Sequence, residues 1–173
     1  ATAATAADRT IALNGAVLQM FNHGVITGAL FLLVGVIYER THNRDLDKYG
    51  GLGAKVPIYG GLLMVTSLAS LGLPGLAGFV SEFSVFRGAF PAYPELTAIS
   101  LSGVVVTAAF LLWTLQRILM GGEKVSYPHI SDVDGREIIC LAPLVALMVI
   151  VGVYPGPLLD LIGATLRALG FGA

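Results

Sequence analysis

Four long apolar runs, separated by short polar segments, dominate this chain of 173 residues. They cover residues 15–38, 57–90, 97–119 and 137–154. A helix needs about 20 predominantly apolar residues to cross the hydrocarbon core of a membrane, and the first three runs reach that length. The fourth is slightly shorter and contains Pro143. The pattern predicts an all-α, polytopic transmembrane helix bundle of about four spans.

The second run, 57–90, exceeds one crossing and is too short for two. Pro74, Gly75 and Gly78 interrupt it near its middle, where they disfavour a continuous helix. Irregular backbone at membrane depth survives only where protein or a water-filled cavity satisfies its polar groups. We therefore predict one discontinuous helix, broken at 74–78, that crosses once. The alternative is a proline kink with glycines that allow close helix packing.

The two ends of the chain differ from its centre. We predict a loop or the end of a preceding helix for residues 1–14, the membrane domain for 15–157, and an amphipathic tail helix along the interface for 158–173. Ala1 follows no methionine or basic leader, so we expect no signal peptide and a start inside a longer protein. The tail has an apolar face at helical spacing, formed by Leu158, Leu159, Ile162, Leu166 and Leu169.

Basic residues mark one side of the predicted bundle. Four crossings place the loops 39–56 and 120–136 on the same side, and seven of the ten basic residues lie in or beside them. The positive-inside rule makes this side cytoplasmic. The seven residues are Arg40, Arg44, Lys48, Lys55, Arg117, Lys124 and Arg136.

The composition excludes several classes of protein. Only 12% of the residues are charged, against about 25% in soluble domains. A net charge of −1 provides no basic surface for nucleic acid. The single cysteine, Cys140, cannot form an intrachain disulfide, and no dinucleotide-binding or iron–sulfur motif is present. Any redox centres are therefore expected in other chains.

Glu82 is the main candidate for chemistry, because it lies four residues after Gly78 and thus one turn into the second half-helix. Acidic side chains inside membrane spans usually have a partner or a function. Desolvation opposes the charged form, whereas the start of the half-helix favours it. We interpret Glu82 as a proton-exchanging group. The alternative is a structural carboxylate paired with a cation, for which Arg87 is poorly placed.

A histidine in the first span is the second candidate. His23 is expected among apolar residues, where a neutral imidazole both donates and accepts hydrogen bonds, and Thr27 would share its face one turn later. The alternative is a histidine that hydrogen-bonds between helices. Further candidates for a polar channel lining, or for bonds back to their own helices, are Asn22, Thr27, Ser67, Ser70 and Ser81.

Four stretches carry a resemblance to a known family: residues 13–24 (LNGAVLQMFNHG), 29–33 (ALFLL), 38–46 (YERTHNRDL) and 71–83 (LGLPGLAGFVSEF). They resemble the subunit M (chain 4) family of proton-translocating NADH–quinone oxidoreductase, respiratory complex I, which is related to the Mrp antiporters. The resemblance extends over residues 13–157.

The resemblance implies an antiporter-like subunit of fourteen helices with two inverted repeats, each containing a broken helix. This chain would be roughly the last third. Glu82 would be the acid of the second broken helix, and His23 would belong to the same polar axis. The first repeat, which holds the other half of the channel, is missing.

The resemblance also implies proton translocation coupled to quinone reduction in a translocase of the bacterial plasma (inner) membrane, rather than an organellar inner membrane or a thylakoid. Neighbouring membrane-arm subunits, the lipid bilayer and protons would be the partners. FMN, iron–sulfur clusters and quinone are expected in other subunits, with no cofactor in this chain. The alternatives are a subunit of an Mrp-type Na⁺/H⁺ antiporter and a purely structural membrane-arm module.

Overall fold

The computed structural model describes residues 5–122 and 129–171, so Lys124 lies outside the described residues. A short 3-10 turn, Leu46–Lys48, follows the first helix. The described residues contain helices and no strand, which confirms the all-α prediction. The helices are α1 (Ala6–Thr41), α2 (Leu52–Lys55), α3 (Pro57–Ser70), α4 (Ala77–Ala89), α5 (Pro94–Leu119), α6 (Gly135–Val153) and α7 (Gly156–Ala168).

Three of these helices, α1, α5 and α6, are long and apolar enough to cross a membrane. The helices α3 and α4 have 14 and 13 residues, so neither reaches the length of a crossing alone. They are consecutive pieces separated by the unwound segment 71–76. The bundle with one discontinuous helix is therefore confirmed.

The first helix begins earlier than predicted. It starts at Ala6 because Thr5 and Asp8 form a capping box, in which Thr5 Oγ1 accepts from Asp8 N and Asp8 Oδ2 accepts from Thr5 N. The prediction of a loop or a preceding helix end for residues 1–14 is thus wrong for residues 6–14. At 1.5 Å per residue, the 36 residues of α1 span about 54 Å.

The other boundaries move by a few residues. Pro94 starts α5 three residues before the predicted position. Proline is favoured there because the N–H that it lacks would have no partner within the first turn of a helix. The box of Asp134 and Glu137 starts α6 at Gly135 instead of residue 137. The tail helix ends at Ala168, short of the predicted end at residue 173.

Close packing through glycine joins α4 to the N-terminal half of α1. A Cβ at Gly15 would lie 2.8 Å from Ser84 Cβ, and one at Gly88 would collide with the backbone of Ala12. Small residues let membrane helices approach backbone to backbone. The tail helix packs on the same part of α1, where Gly163 faces Asn14.

A single arginine joins the C-terminal end of α1 to the start of α6. Arg40 donates from Nη1 and Nη2 to the two carboxylate oxygens of Glu137, each at 2.8 Å. It also donates to the carbonyl oxygens of Ser131 and Asp132. Bidentate charge-assisted bonds of this kind are strong and directional. They fix the loop before α6 against the end of α1.

Asp132 caps α3 from a distant part of the chain. Its Oδ2 accepts from Ile58 N at 2.9 Å, and its Oδ1 accepts from Tyr59 N at 3.0 Å. The residue at the helix start, Val56, offers no side-chain acceptor of its own. Burial raises the pKa of the Asp132 carboxyl, but backbone N–H donors and the nearby guanidinium of Arg40 outweigh burial and hold it below its ordinary value.

These contacts gather the described parts of segments 39–56 and 120–136 at one end of the bundle, as predicted from four crossings. Arg117 Nη1 lies 2.7 Å from Asp47 Oδ1, and Gly51 N donates to the carbonyl of Met120 at 3.1 Å. Ser131 and Asp132, whose carbonyl oxygens accept from Arg40, lie beside the start of α3 because Asp132 also caps that helix.

We expect Asp132→Ala to destabilise the protein by about 1 kcal/mol, the usual cost of a lost helix cap. Because the folded pKa is lowered, the carboxylate contributes fully above the unfolded pKa, and its contribution is lost as the pH falls through the folded value. Thermal unfolding of the purified protein should thus show a difference in stability between wild type and variant at pH 7 that closes below about pH 4. Asp160→Ala, which removes an exposed acid of α7, is the control. A gap that stays constant with pH would contradict this account.

Candidate functional site

The break lies slightly earlier than predicted. The last turn of α3 closes with hydrogen bonds from Leu71 N to Ser67 O and from Leu73 N to Leu68 O. Gly72 has φ +70°, a left-handed conformation that ends the helix at small steric cost. The unwound segment is therefore 71–76 instead of 74–78, and Gly78 belongs to the first turn of α4. Gly75, with φ +93°, forms the turn after Pro74.

Glycines allow the two half-helices to meet at the break. A Cβ at Gly78 would collide with the carbonyl oxygen of Ala69 near the end of α3. On α6, a Cβ at Gly152 would collide with the carbonyl oxygen of Gly75 and the backbone of Leu76. The break is thus enclosed by α3, α4 and α6 through backbone contacts.

Side chains of α1 hydrogen-bond to the start of α4. Asn22 Nδ2 donates to Ala77 O at 2.7 Å and to Ser81 Oγ at 3.0 Å. The Ser81 hydroxyl also lies in hydrogen-bond contact with Gln19 Oε1. Asn22 and Ser81 are 1% and 0% exposed, so they occupy a packed interface between α1 and α4. Their polar atoms serve the contact between α1 and α4, and a role in lining a channel stays a prediction.

Gln19 was not among the residues predicted from the sequence. It lies three residues before Asn22 on α1, which places both side chains on one helix face. Two polar residues three positions apart in an apolar run could have indicated this shared polar face. In this group of Gln19, Asn22 and Ser81, the Asn22 Oδ1 atom is buried without a hydrogen-bond partner.

Glu82 lies on a different face of α4 from Ser81 and is half-buried. Its Oε2 lies against the break, since a Cβ at Gly72 would come within 2.8 Å of it. No ion pair of the described residues includes Glu82. It lines a cavity of about 240 Å³ together with Ser70, Leu71, Phe86, Gly103, Val104 and Thr107.

His23 faces away from the contact between α1 and α4. It lies at the middle of α1 but is exposed, since a rotation of about 100° per residue turns it away from the face on which Asn22 meets α4. Its Nε2 lies 3.4 Å from Thr27 Oγ1, so Thr27 does share its face. No described contact joins His23 to Glu82, and the Glu82 cavity does not include it.

The other three residues predicted to line a channel lie in three different places. Ser70 lines the Glu82 cavity. Ser67 is buried in α3, and Thr27 accompanies His23. Within residues 5–122 and 129–171, no group of three His, Cys, Asp or Glu side chains is placed to hold a metal ion.

The fold and the broken helix can be compared with known proteins. Residues 1–111 match the family described as NADH:quinone oxidoreductase/Mrp antiporter, TM. The chain belongs to this family. The match confirms the membership that the sequence motifs suggested.

Curated relatives in this family carry subunit names. NADH-quinone oxidoreductase subunit M of Rhodobacter capsulatus is 44% identical over 158 residues, which cover 91% of this chain and 31% of the relative. The subunit M of Mycobacterium tuberculosis is 42% identical over 149 residues, or 86% of this chain and 27% of the relative. This chain therefore spans about a third of the length of the relatives that it matches.

Solved structures show the same architecture. A chain of respiratory complex I from Thermus thermophilus with bound NADH superimposes with a TM-score of 0.78 at 32% identity, over 92% of this chain and 35% of that chain. A chain of the Mrp complex from Dietzia sp. gives a TM-score of 0.68 at 20% identity, over 89% of this chain and 37% of that chain. The second likeness shows a shared fold.

We expect Gly78→Ala to destabilise the protein by about 1–3 kcal/mol, because the added methyl group must displace the backbone of Ala69. Gly61→Ala is the matched control, since a Cβ there meets no atom within 4 Å. Thermal unfolding of the purified complex measures both. Equal stability of the two variants would show that close approach at the break is not required.

Proposed function

We propose that this chain is part of a membrane-arm subunit of a proton-translocating NADH–quinone oxidoreductase, in which Glu82 exchanges protons. The identity with subunit M sequences supports the assignment to this complex. The observation that carries the proton role is the setting of Glu82. It is an acid at an unwound turn, with no cation in ion-pair contact among the described residues and with a cavity at its side.

The surroundings of Glu82 suit a change of protonation. The start of α4 favours the anion, and Oε2 lies beside Gly72 of the unwound segment. Without a guanidinium or ammonium partner, neither form is held by a strong ion pair. Water in the cavity can therefore decide which form is present.

His23 has a separate place in this proposal. It is exposed at the middle of α1, and Thr27 orients its ring. Because His23 and Glu82 do not meet within this chain, protons pass between them only through water or through groups outside these residues. The proposed partners are neighbouring membrane-arm subunits, and the proposed location is the bacterial plasma membrane. Quinone reduction, FMN and the iron–sulfur clusters belong to other subunits in this proposal.

Two other functions make different predictions. The fold is shared with a chain of an Mrp complex, so a subunit of a Na⁺/H⁺ antiporter has the same architecture. A structural membrane-arm module would need Glu82 only for assembly. Both are outcomes of the experiment below.

We expect Glu82→Gln to lower NADH-driven proton translocation by roughly tenfold or more, because glutamine keeps the size of the side chain but cannot exchange a proton. Inverted membrane vesicles that contain the assembled complex allow dye-monitored acidification and NADH oxidation to be measured together. The control is Glu95→Gln, which neutralises an exposed acid in the first turn of α5.

The remaining outcomes separate the alternatives. Unchanged proton translocation in Glu82→Gln would remove Glu82 from the mechanism. Loss of the assembled complex would favour the structural module. Sodium-dependent proton exchange in vesicles that do not oxidise NADH would favour the antiporter.

A further inference from the structure

We propose that Gly72 and the hydrogen bond between Asn22 and Ser81 position the carboxyl group of Glu82. This inference rests on the proposed function of Glu82 and gives its side chain two supports, one on each side of α4. Neither support exchanges a proton, so both are positioning groups. Glu82 depends on them because no ion pair of the described residues includes its carboxylate.

Gly72 provides the space beside which the carboxyl group lies. A Cβ at this position would be 2.8 Å from Oε2 of Glu82, 3.5 Å from its Cδ and 3.7 Å from Cα of Phe79. A methyl group there would therefore enter the contact between the carboxyl group and the unwound segment. The carboxyl group is the end of a flexible side chain, so it moves to another rotamer more readily than the backbone shifts. A side chain at position 72 therefore displaces the carboxyl group.

The second support fixes the rotation of α4 about its own axis. Ser81 directly precedes Glu82, so the two side chains leave the helix about 100° apart. Asn22 Nδ2 donates to Ser81 Oγ at 3.0 Å and to the carbonyl oxygen of Ala77 at 2.7 Å. These two contacts, one helical turn apart on α4, fix the face that meets α1. They thereby fix the direction in which the side chain of Glu82 leaves the helix.

Local sequence does not supply this constraint. Leu76 precedes α4 and provides no side-chain cap, although Ser, Thr, Asp and Asn are the usual residues at that position. The start of α4 is therefore held by a side chain of α1.

The asparagine at position 22 reduces stability in one respect. Its Oδ1 atom is buried without a hydrogen-bond partner, and an unsatisfied buried acceptor is unfavourable. Leu18 and Ile26 are buried on the same helix, so a leucine of similar shape would suit this face and avoid the unsatisfied atom. The position that Asn22 gives to α4 accounts for a polar residue there.

The first test compares two glycines of the unwound segment. Gly72 and Gly75 have φ of +70° and +93°, so alanine is strained at both positions. A Cβ at Gly75 meets no other residue within 4 Å apart from its chain neighbours, whereas one at Gly72 meets Glu82. We expect Gly72→Ala to lower NADH-driven proton translocation in vesicles by roughly tenfold per assembled complex. Gly75→Ala should stay near the wild-type rate.

The second test compares two asparagines of α1. Both have a buried Oδ1 atom without a hydrogen-bond partner. Asn22→Leu removes the bonds to Ala77 and Ser81, whereas Asn14→Leu changes a side chain that faces Gly163 of α7. We expect Asn22→Leu to lower translocation by roughly tenfold. Asn14→Leu, the matched control, should retain it.

A spectroscopic measurement separates position from stability. The C=O stretching frequency of a protonated carboxyl group depends on its hydrogen bonds and surroundings. The infrared band that disappears in Glu82→Gln therefore reports the environment of this group. We expect the band to shift in Gly72→Ala and in Asn22→Leu. It should keep its wild-type frequency in Gly75→Ala and in Asn14→Leu.

The outcomes distinguish this inference from the proposed function. Equal translocation and an identical band in Gly72→Ala and Gly75→Ala would overturn the role of Gly72. So would loss of assembly in Gly72→Ala alone, since only the carboxyl group is expected to move. An unchanged band in Asn22→Leu would overturn the role of its hydrogen bond. Normal translocation in Glu82→Gln would remove the proposed function, whereas the band shifts would still show that the two supports position the carboxyl group.

Discussion

The structure depends on how the backbone is satisfied where the second crossing unwinds. Polar groups that are freed inside a membrane need partners within the protein, since lipid offers none. Here Asn22 of α1 donates to Ala77 O and to Ser81 at the start of α4, and glycine at position 78 allows α4 to meet the end of α3. These contacts stabilise a break at membrane depth. Glu82 lies beside Gly72 of this break, next to a cavity.

A second polar group fixes the opposite end of α3. Arg40 binds Glu137 and the loop before α6, and Asp132 of that loop caps α3. The half-helix α3 is thereby held at its start by α1 and by the loop before α6, and at its end by the break. The buried residues of its neighbour α5, Thr97, Leu115 and Leu119, lie near the two ends of that helix.

Sequence patterns predicted a break within the run 57–90 and Glu82 shortly after it, because proline and glycine act on the local backbone. They did not show which residues face each other. His23 and Asn22 are adjacent in sequence, yet His23 is exposed whereas Asn22 is buried, with 1% of its surface exposed. Only the register of α1 against α4 decides which of the two is buried. Asp132 caps a helix 74 positions away. No local pattern reveals such a contact or the cavity beside α5.

The central claim is that Glu82 exchanges its proton with water inside the membrane. Infrared difference spectroscopy of the assembled complex, with a pH change as the trigger, tests this directly. The account predicts a carboxyl C=O band that appears on acidification, shifts when H₂O is replaced by D₂O, and is absent in Glu82→Gln. A Glu82 that stays ionised over the whole pH range in which the complex works, or a carboxyl band that does not respond to D₂O, would contradict it.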